Sequence, residues 1–436
     1  MKVNFTELPN GKNTPLNSPT KVVLLILTLV LLTTIPLYLY NNSLSLLWPS
    51  VPPYQSNKSS QPPGMNISDT NSTSLEHKCD IFSGKWIPNP NGPYYTNASN
   101  CVIDDRQNCM KFGRPDTAFM KWRWKPDECE LPLFDAAQFL ELVRGKSMAF
   151  VGDSVGRNQM QSLVCLLASV ARPVDVTNVQ EARFSHWLYT DYNFTLVNLW
   201  STHLVKSQDA DPNGFSLNSL MNLYLDQVDD AWAAQIETFD YVIISAGQWF
   251  SRPFMYYEKG KLVGCHICNK KNVTDLTRYY GYRKAFGTAF RTLLELQNFK
   301  GVTFLRTFSP AHFENGEWNK GGNCVRKRPF TEGEMKFEGY MLDFYVTQME
   351  EFRAAEREGR KKGLKFRLLD TSEAMVLRPD GHPNHYGHWP NENVSIADCV
   401  HWCLPGPIDT WNEFLLQMLR MEGDGLIEGK PDQPNV

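Results

Sequence analysis

The sequence predicts an α/β fold: a doubly wound, mostly parallel sheet with a disulfide-rich N-terminal lobe, preceded by one transmembrane helix. Three observations carry this. Short apolar runs alternate with stretches of helical spacing from about residue 147 onward. Ten cysteines, an even number, all lie beyond residue 78. Residues 22–40, VVLLILTLVLLTTIPLYLY, contain no charge.

The charge-free run comes first. As a helix it spans about 28 Å, close to the ~30 Å hydrocarbon thickness of a bilayer. Lys2, Lys12 and Lys21 precede it with only Glu7 opposing them, and the next basic residue is Lys58. The positive-inside rule therefore places residues 1–21 in the cytosol and the chain after about residue 41 in the lumen. The run is long for a cleaved signal, begins late, and is followed by no small-x-small site, so a retained signal-anchor is expected. Its short span suits a thin early-secretory or Golgi bilayer better than a plasma membrane. Residues 41–77, rich in Ser, Asn and Pro, read as a lumenal stem. Residues 78–424 read as the folded lumenal domain and 425–436 as a tail. Asn57, Asn66, Asn71, Asn97, Asn193, Asn272 and Asn393 each begin an Asn-x-Ser/Thr triplet, as lumenal exposure allows.

Composition narrows the function. The chain has 436 residues, 42% hydrophobic, with a net charge of −3 and no block of like charge. That excludes nucleic acid as a partner. Cysteines in an oxidising lumen read as disulfides. Cys265-His266-Ile267-Cys268 raises a zinc reading, but no second CxxC or HxxxH completes a tetrahedron, so no metal is expected.

The domain's elements follow in order. SMAFVG (147–152) predicts a strand and 155–168 a helix. YVIISAG (241–247) predicts a second strand, 283–297 a helix, GVTFLRTF (301–308) a third strand, 333–360 a long helix, and LKFRLLD (364–370) a fourth strand. Pro405 and Pro407 precede an amphipathic helix at 408–421. Strand–helix alternation argues for a parallel sheet. The first two strands have the continuous apolar character of buried parallel strands; polar residues interrupt the last two.

Ligands bind beyond the C-terminal ends of such strands. Gly152-Asp153-Ser154 stands at one of them. A strand, a glycine turn, a serine and a helix can expose a hydroxyl where helix amides favour an oxyanion. The same pattern also merely caps a helix. A serine nucleophile needs a base and an orienter. Among nine histidines, His266 lies beside the CxxC, His382, His385 and His388 lie in the loop 378–389, and His401 lies three residues after Asp398. Residues at i and i+3 share a face on a helical turn, so Asp398 can hold the imidazole while its other nitrogen reaches Ser154. Alternatively Asp398 caps a turn and His401 is a surface residue.

Several separated segments together resemble one family. They are the Gly-Asp-Ser turn, CDIFSGKWIPNPNGPYYTNASNC (79–101), GRPDTAFMKWRWKPDECELPLFD (113–135), RTFSPAHFENGEWNKGGNC (306–324) and DCVHWCLPGPIDTWN (398–412). The chain resembles the plant trichome birefringence-like proteins of the PC-esterase group, which are related to GDSL/SGNH hydrolases. The resemblance implies a Golgi type II membrane protein that O-acetylates a cell-wall polysaccharide. It implies a triad of Ser154, Asp398 and His401, with an oxyanion hole drawn from the Ser154 amide and the Gly247 amide. Arg157 and Asn158 match the polar run after Gly-Asp-Ser and are expected to line the site. Trp249, Arg306, His312 and Trp318 are further candidates for the cleft. Implied pairings are Cys79–Cys129, Cys101–Cys165, Cys109–Cys403 and Cys324–Cys399, leaving Cys265–Cys268. GCHIC (264–268), RPDGHP (378–383) and the DCVHWCLPGP segment look most like the branch acting on xyloglucan galactose; neighbouring branches act on mannan or xylan. No cofactor is expected to be bound, but an acetyl donor is required, acetyl-CoA or another carrier. No convincing CoA-binding pattern is present, and lumenal acetyl-CoA would need an import step, so the expected partner is an acetyl donor or a donor-supplying membrane protein. The same triad also suits an acetylesterase, and a non-enzymatic protein bridging pectin or other wall polysaccharides is the third alternative.

Overall fold

The computed structural model describes residues 79–423, apart from short stretches at 97–98, 100, 102, 179–182, 211–218, 332 and 393–395. The predicted anchor at 22–40, the stem at 41–77 and the tail at 425–436 lie outside the described residues. The described elements begin with β1 (Gly84–Pro88) and β2 (Trp122–Pro126), then α1 (Ala136–Leu142), β3 (Ser147–Gly152), α2 (Ser154–Leu167), β4 (Val174–Asp175), β5 (Phe184–Tyr189) and β6 (Phe194–Trp200). Next come β7 (Val205–Asp209), β8 (Met221–Val228), α3 (Asp230–Ala233), β9 (Tyr241–Ser245), β10 (Phe254–Glu258), β11 (Lys261–His266) and α4 (Thr277–Glu295). The last are β12 (Val302–Arg306), α5 (Tyr340–Lys361), β13 (Lys365–Leu369), α6 (Ser372–Val376) and α7 (Asp409–Gly423).

The main sheet runs β13-β12-β9-β3-β6-β5-β4. Its first five strands are mutually parallel, and β5 and β4 close one edge antiparallel. Strand side chains alternate between faces. In β3, Met148 and Phe150 enter the core built with α1, α2 and α7, while Ala149 and Val151 enter the core built with α4 and α5. Both faces are therefore covered, which is why β3 and β9 read as unbroken apolar runs.

The two polar-interrupted strands have separate explanations. β12 is buried throughout despite Thr303 and Arg306. The Arg306 guanidinium is stripped of water and donates instead to Ser245 Oγ and to Thr307 O. β13 is an edge strand, and its Lys365 and Arg367 reach Glu422 of α7. The long helix starts at Tyr340, not 333. Gly333 and Gly339 sit at φ 80° and 61°, so the backbone cannot enter an α-helix before that point.

A second sheet, β11-β10-β8-β7, was not foreseen. Its strands carry scattered polar residues, as in Lys206-Ser207-Gln208, and mimic connecting segments. It packs on α4, where Thr288 Oγ1 donates to Leu225 O at 2.6 Å. Two sequons fall on described asparagines, Asn193 and Asn272, both exposed and left-handed, at φ 47° and 70°.

The N-terminal lobe is tied down by Cys79–Cys129 internally, Cys101–Cys165 to α2, and Cys109–Cys403 to the loop before α7. Trp86 Nε1 donates to Ala374 O at 2.7 Å, fastening the antiparallel pair of β1 and β2 to α6. The same lobe covers two carboxyls of α7. Tyr95 and Ser162 donate to Asp409 Oδ1 at 2.8 and 2.6 Å, Gly406 N donates to Asp409 Oδ2 at 3.0 Å, and Tyr94 donates to Glu413. Burial pushes Asp409 up to about 6 and Glu413 up to about 7.

A sign follows from those values. Carboxyls raised in the fold are protonated there while the unfolded chain, near 4, has already released its protons. Their contribution is complete at pH 4 and is lost as pH rises through about 7. Thermal denaturation is therefore expected to show higher stability at pH 5 than at pH 8, by on the order of a few kcal/mol. Glu413→Gln should flatten the profile; an unchanged slope would show that these carboxyls ionise without cost.

Candidate active site

β3 can turn beside β9 only because residue 152 is glycine. Its φ is +152°, and an added Cβ would stand 1.7 Å from Ser245 O. Asp153 follows as N-cap of α2. Its Oδ1 accepts from Val155 N at 3.0 Å, and its Oδ2 accepts from Gly247 N at 2.9 Å. Asp153 thus does the capping. Ser154, at the first position of α2 and 8% exposed, keeps its hydroxyl for another partner.

That partner comes from a loop bolted at both ends. Cys399 is joined to Cys324, and Cys403 to Cys109. Just before the first of these cysteines, Asp398 Oδ1 accepts from Val400 N at 3.1 Å and His401 N at 2.9 Å. Asp398 Oδ2 lies 2.7 Å from His401 Nδ1, and His401 Nε2 lies 2.7 Å from Ser154 Oγ. Asp398 both closes a turn and orients the imidazole, so the two alternatives of the sequence are two functions of one carboxylate. Nucleophile, base and orienter stand in hydrogen-bonded series.

The electrostatics suit the arrangement. Burial opposes ionisation of Asp398, but the His401 charge and its hydrogen bonds outweigh that and hold the carboxyl down at about 2. Burial also disfavours a charged His401, yet the Asp398 charge prevails and raises the imidazole above its ordinary value. An imidazole so raised is a stronger proton acceptor for the serine.

Two groups hold the loop in place. Asn158, one turn after Ser154, makes a two-way clamp: its Oδ1 accepts from Trp402 N at 2.8 Å and its Nδ2 donates to Trp402 O at 3.2 Å. His382 stacks on Trp402 with centroids 4.1 Å apart, and its Nδ1 lies 2.7 Å from His401 O. His382 Nε2 lies 2.7 Å from His312 Nδ1, and His312 Nε2 lies 3.0 Å from Val376 O. Burial pushes His312 down to about 4 and His382 well below the usual imidazole value, so the pair is neutral near pH 7.

The remaining expected site residues divide. Asn158, Arg306 and His312 are buried and spend their polar atoms inside the protein, so they support the site from behind instead of lining a cleft. The Gly247 amide is taken by Asp153 Oδ2 and so does not point to an oxyanion. The Ser154 amide, in the first turn of α2, is left as the helix-terminal donor of the expected hole. Arg157, one turn after Ser154 in α2, and Trp249 stay half-exposed, and Trp318 is half-buried in the loop after β12. Asp153 and His382 were missed as site residues. Asp153 lay in plain view beside the serine, but its dual role needs the β3–β9 contact. Cys265 is bonded to Cys268, so both sulfurs of the CxxC are used.

Two families account for the described chain. Residues 77–130 match the PMR5 N-terminal domain, and residues 131–418 match PC-esterase, described as a GDSL/SGNH-like acyl-esterase family found in Pmr5 and Cas1p. The chain is 54% identical to protein trichome birefringence-like 19 of Arabidopsis thaliana over 370 residues, 84% of this chain and 87% of that one. It is 46% identical to xyloglucan O-acetyltransferase 4 of Populus trichocarpa, over 79% of this chain and 82% of the relative. Identity to xyloglucan O-acetyltransferase 2 of Arabidopsis thaliana is 40%, over 83% and 88% respectively.

Two measurements check this geometry. The neutral imidazole is the active base, so turnover of a small acyl ester should rise with pH through a midpoint above 6.5. Asp398→Asn should move that midpoint to lower pH and cut kcat/KM by roughly 10³–10⁴. Asn158→Ala releases the clamp, and misplacement of His401 by about 1 Å should cost about 100-fold in kcat. Wild-type turnover by Asn158→Ala would remove the clamp from the account.

Proposed function

Since the chain belongs to the PC-esterase family, among the trichome birefringence-like proteins, we propose that it is a polysaccharide O-acetyltransferase of the Golgi lumen acting on xyloglucan galactose. The observation carrying this reading is the hydrogen-bonded series from Asp398 through His401 to Ser154. It occurs in a chain 40–46% identical to proteins named xyloglucan O-acetyltransferases.

The reaction is a double displacement. Ser154 Oγ attacks the acetyl carbonyl of the donor while His401 Nε2 takes the hydroxyl proton. The carbonyl oxygen gains the negative charge, which the Ser154 amide and the N-terminal dipole of α2 stabilise. The intermediate collapses, His401 returns its proton to the leaving group, and acetyl-Ser154 remains. A sugar hydroxyl then attacks the acetyl carbon and gives its proton to His401. Collapse expels Ser154 Oγ, which recovers that proton, and the acetylated sugar departs. Asp398 stabilises the imidazolium formed twice in the cycle. Acetyl-CoA or another acetyl carrier is the donor. A residence behind the anchor at 22–40 would place the enzyme where matrix polysaccharides are made.

The full-length protein, supplied with an acetyl donor and separate xyloglucan, mannan and xylan oligosaccharides, is expected to yield singly acetylated xyloglucan by mass spectrometry. Ser154→Ala should reduce this to background, a loss of order 10⁶ in kcat. Release of free acetate in the presence of all three acceptors, with no acetylated sugar, would turn the reading to an esterase.

A further inference from the structure

The two strands flanking β3 each place a tryptophan at the C-terminal end of the sheet. Trp200 ends β6, directly opposite Gly152, and its neighbour Ser201 N donates to Gly152 O at 2.8 Å. Trp249 follows β9 in the turn that begins at Gly247. The two indoles meet edge to face with centroids 6.3 Å apart, and both are half-exposed. Each carries a guanidinium: Arg157 Cζ lies 4.9 Å from the Trp200 ring centroid and Arg252 Cζ lies 4.3 Å from that of Trp249. Arg157 stands at i+3 from Ser154, on the same side of α2.

Core packing does not account for this corner. Packing would hide the indoles, and it would satisfy the arginine. Among the described residues no acceptor faces the buried Nε of Arg157. Burial pushes the Arg157 guanidinium below its usual value, and the like charge of Arg106 adds to that. An unmet buried donor is costly, and a ligand oxygen would remove the cost. The charge balance selects the kind of ligand. Asp104, paired with Arg106 at 2.5 Å, also acts on Arg157, and Asp398 lies beyond. Asp153 also acts on Arg157, and Asp209 acts on Arg252, so the arginines of this corner are already matched by carboxylates and an anionic group gains no net attraction here. An uncharged ring with an apolar face and hydroxyl edges suits both features: its C–H face lies on an indole, and a hydroxyl or ring oxygen accepts from Arg157.

We propose that Trp200, Trp249 and Arg157 form a subsite for a neutral glycosyl unit of the acceptor, next to the one that receives the acetyl group. The inference rests on the acceptor being a polysaccharide, and it adds the surface that reads it. Trp200 is the central member, because pairing with β3 fixes its backbone relative to Ser154.

Calorimetric titration of the full-length protein with xyloglucan oligosaccharide, without donor, tests it. Trp200→Ala is expected to raise Kd about tenfold or more, and Trp200→Phe, which keeps an aromatic face, to stay within about threefold of wild type. Arg157→Lys, which keeps the charge but loses the Nε donor, should also weaken binding several-fold, and it holds the test open if Trp200→Ala does not fold. Wild-type Kd in both Trp200→Ala and Arg157→Lys would overturn the subsite while leaving the polysaccharide acceptor standing. Absence of binding to wild type of xyloglucan, mannan and xylan oligosaccharides alike would overturn both.

Discussion

Ser154 and His401 are 247 residues apart in the chain and 2.7 Å apart in space, and much of the structure serves to hold that contact. A hydrogen bond tolerates errors of a few tenths of an ångström. The separation is therefore fixed several times over. Gly152 lets β3 pass against β9 and launch α2 with the serine at its start. Two disulfides pin the loop on either side of His401. The amide of Asn158 then ties that loop to the serine's own helix by both its oxygen and its nitrogen. Each device acts on a different degree of freedom: turn, loop ends, and spacing.

Behind the site lies a layer of polar groups buried at a cost that only mutual satisfaction offsets. Arg306 donates into Ser245 and Thr307 and rests 5.1 Å above the Trp411 ring. Arg378 and Asp380, both fully buried, pair at 2.8 Å, and Arg114 reaches the carbonyls of Asp380 and His382. Such groups keep the loop 378–382 in one conformation, and His382 hands that rigidity to the carbonyl of His401. The N-terminal lobe belongs to the same layer. Cys109 ties it to Cys403, and its tyrosines cap the carboxyls at the head of α7.

The strands β3, β9, β12 and β13 and helices α2, α4, α5 and α7 were legible because each is local, and the i,i+3 spacing of Asp398 and His401 left capping and catalysis both open. Apolar runs, helical spacing and an i,i+3 pair need only near neighbours. The second sheet was not legible: its strands are half-polar and gain stability from pairing, not from their own pattern. The start of α5 was misplaced because the left-handed backbone of Gly333 and Gly339 outweighs good helix formers around them. Arg306 and His312 were candidates for the cleft, yet both are buried. Their burial depends on partners 61 and 70 residues away, Ser245 and His382.

By itself, then, the sequence determined the alternating α/β plan, an even set of cysteines, a charge-free segment near its start, and a serine, a histidine and an aspartate in settings that suit either capping or catalysis. All of these follow from residue chemistry and short-range spacing. Only the tertiary structure decided that Asp153 takes up the Gly247 amide, that Asn158 ties the His401 loop to α2, and that Trp200 and Trp249 meet at the C-terminal end of the sheet. Those are contacts between segments far apart in the chain. Their energies depend on distance and burial, which a linear pattern does not contain.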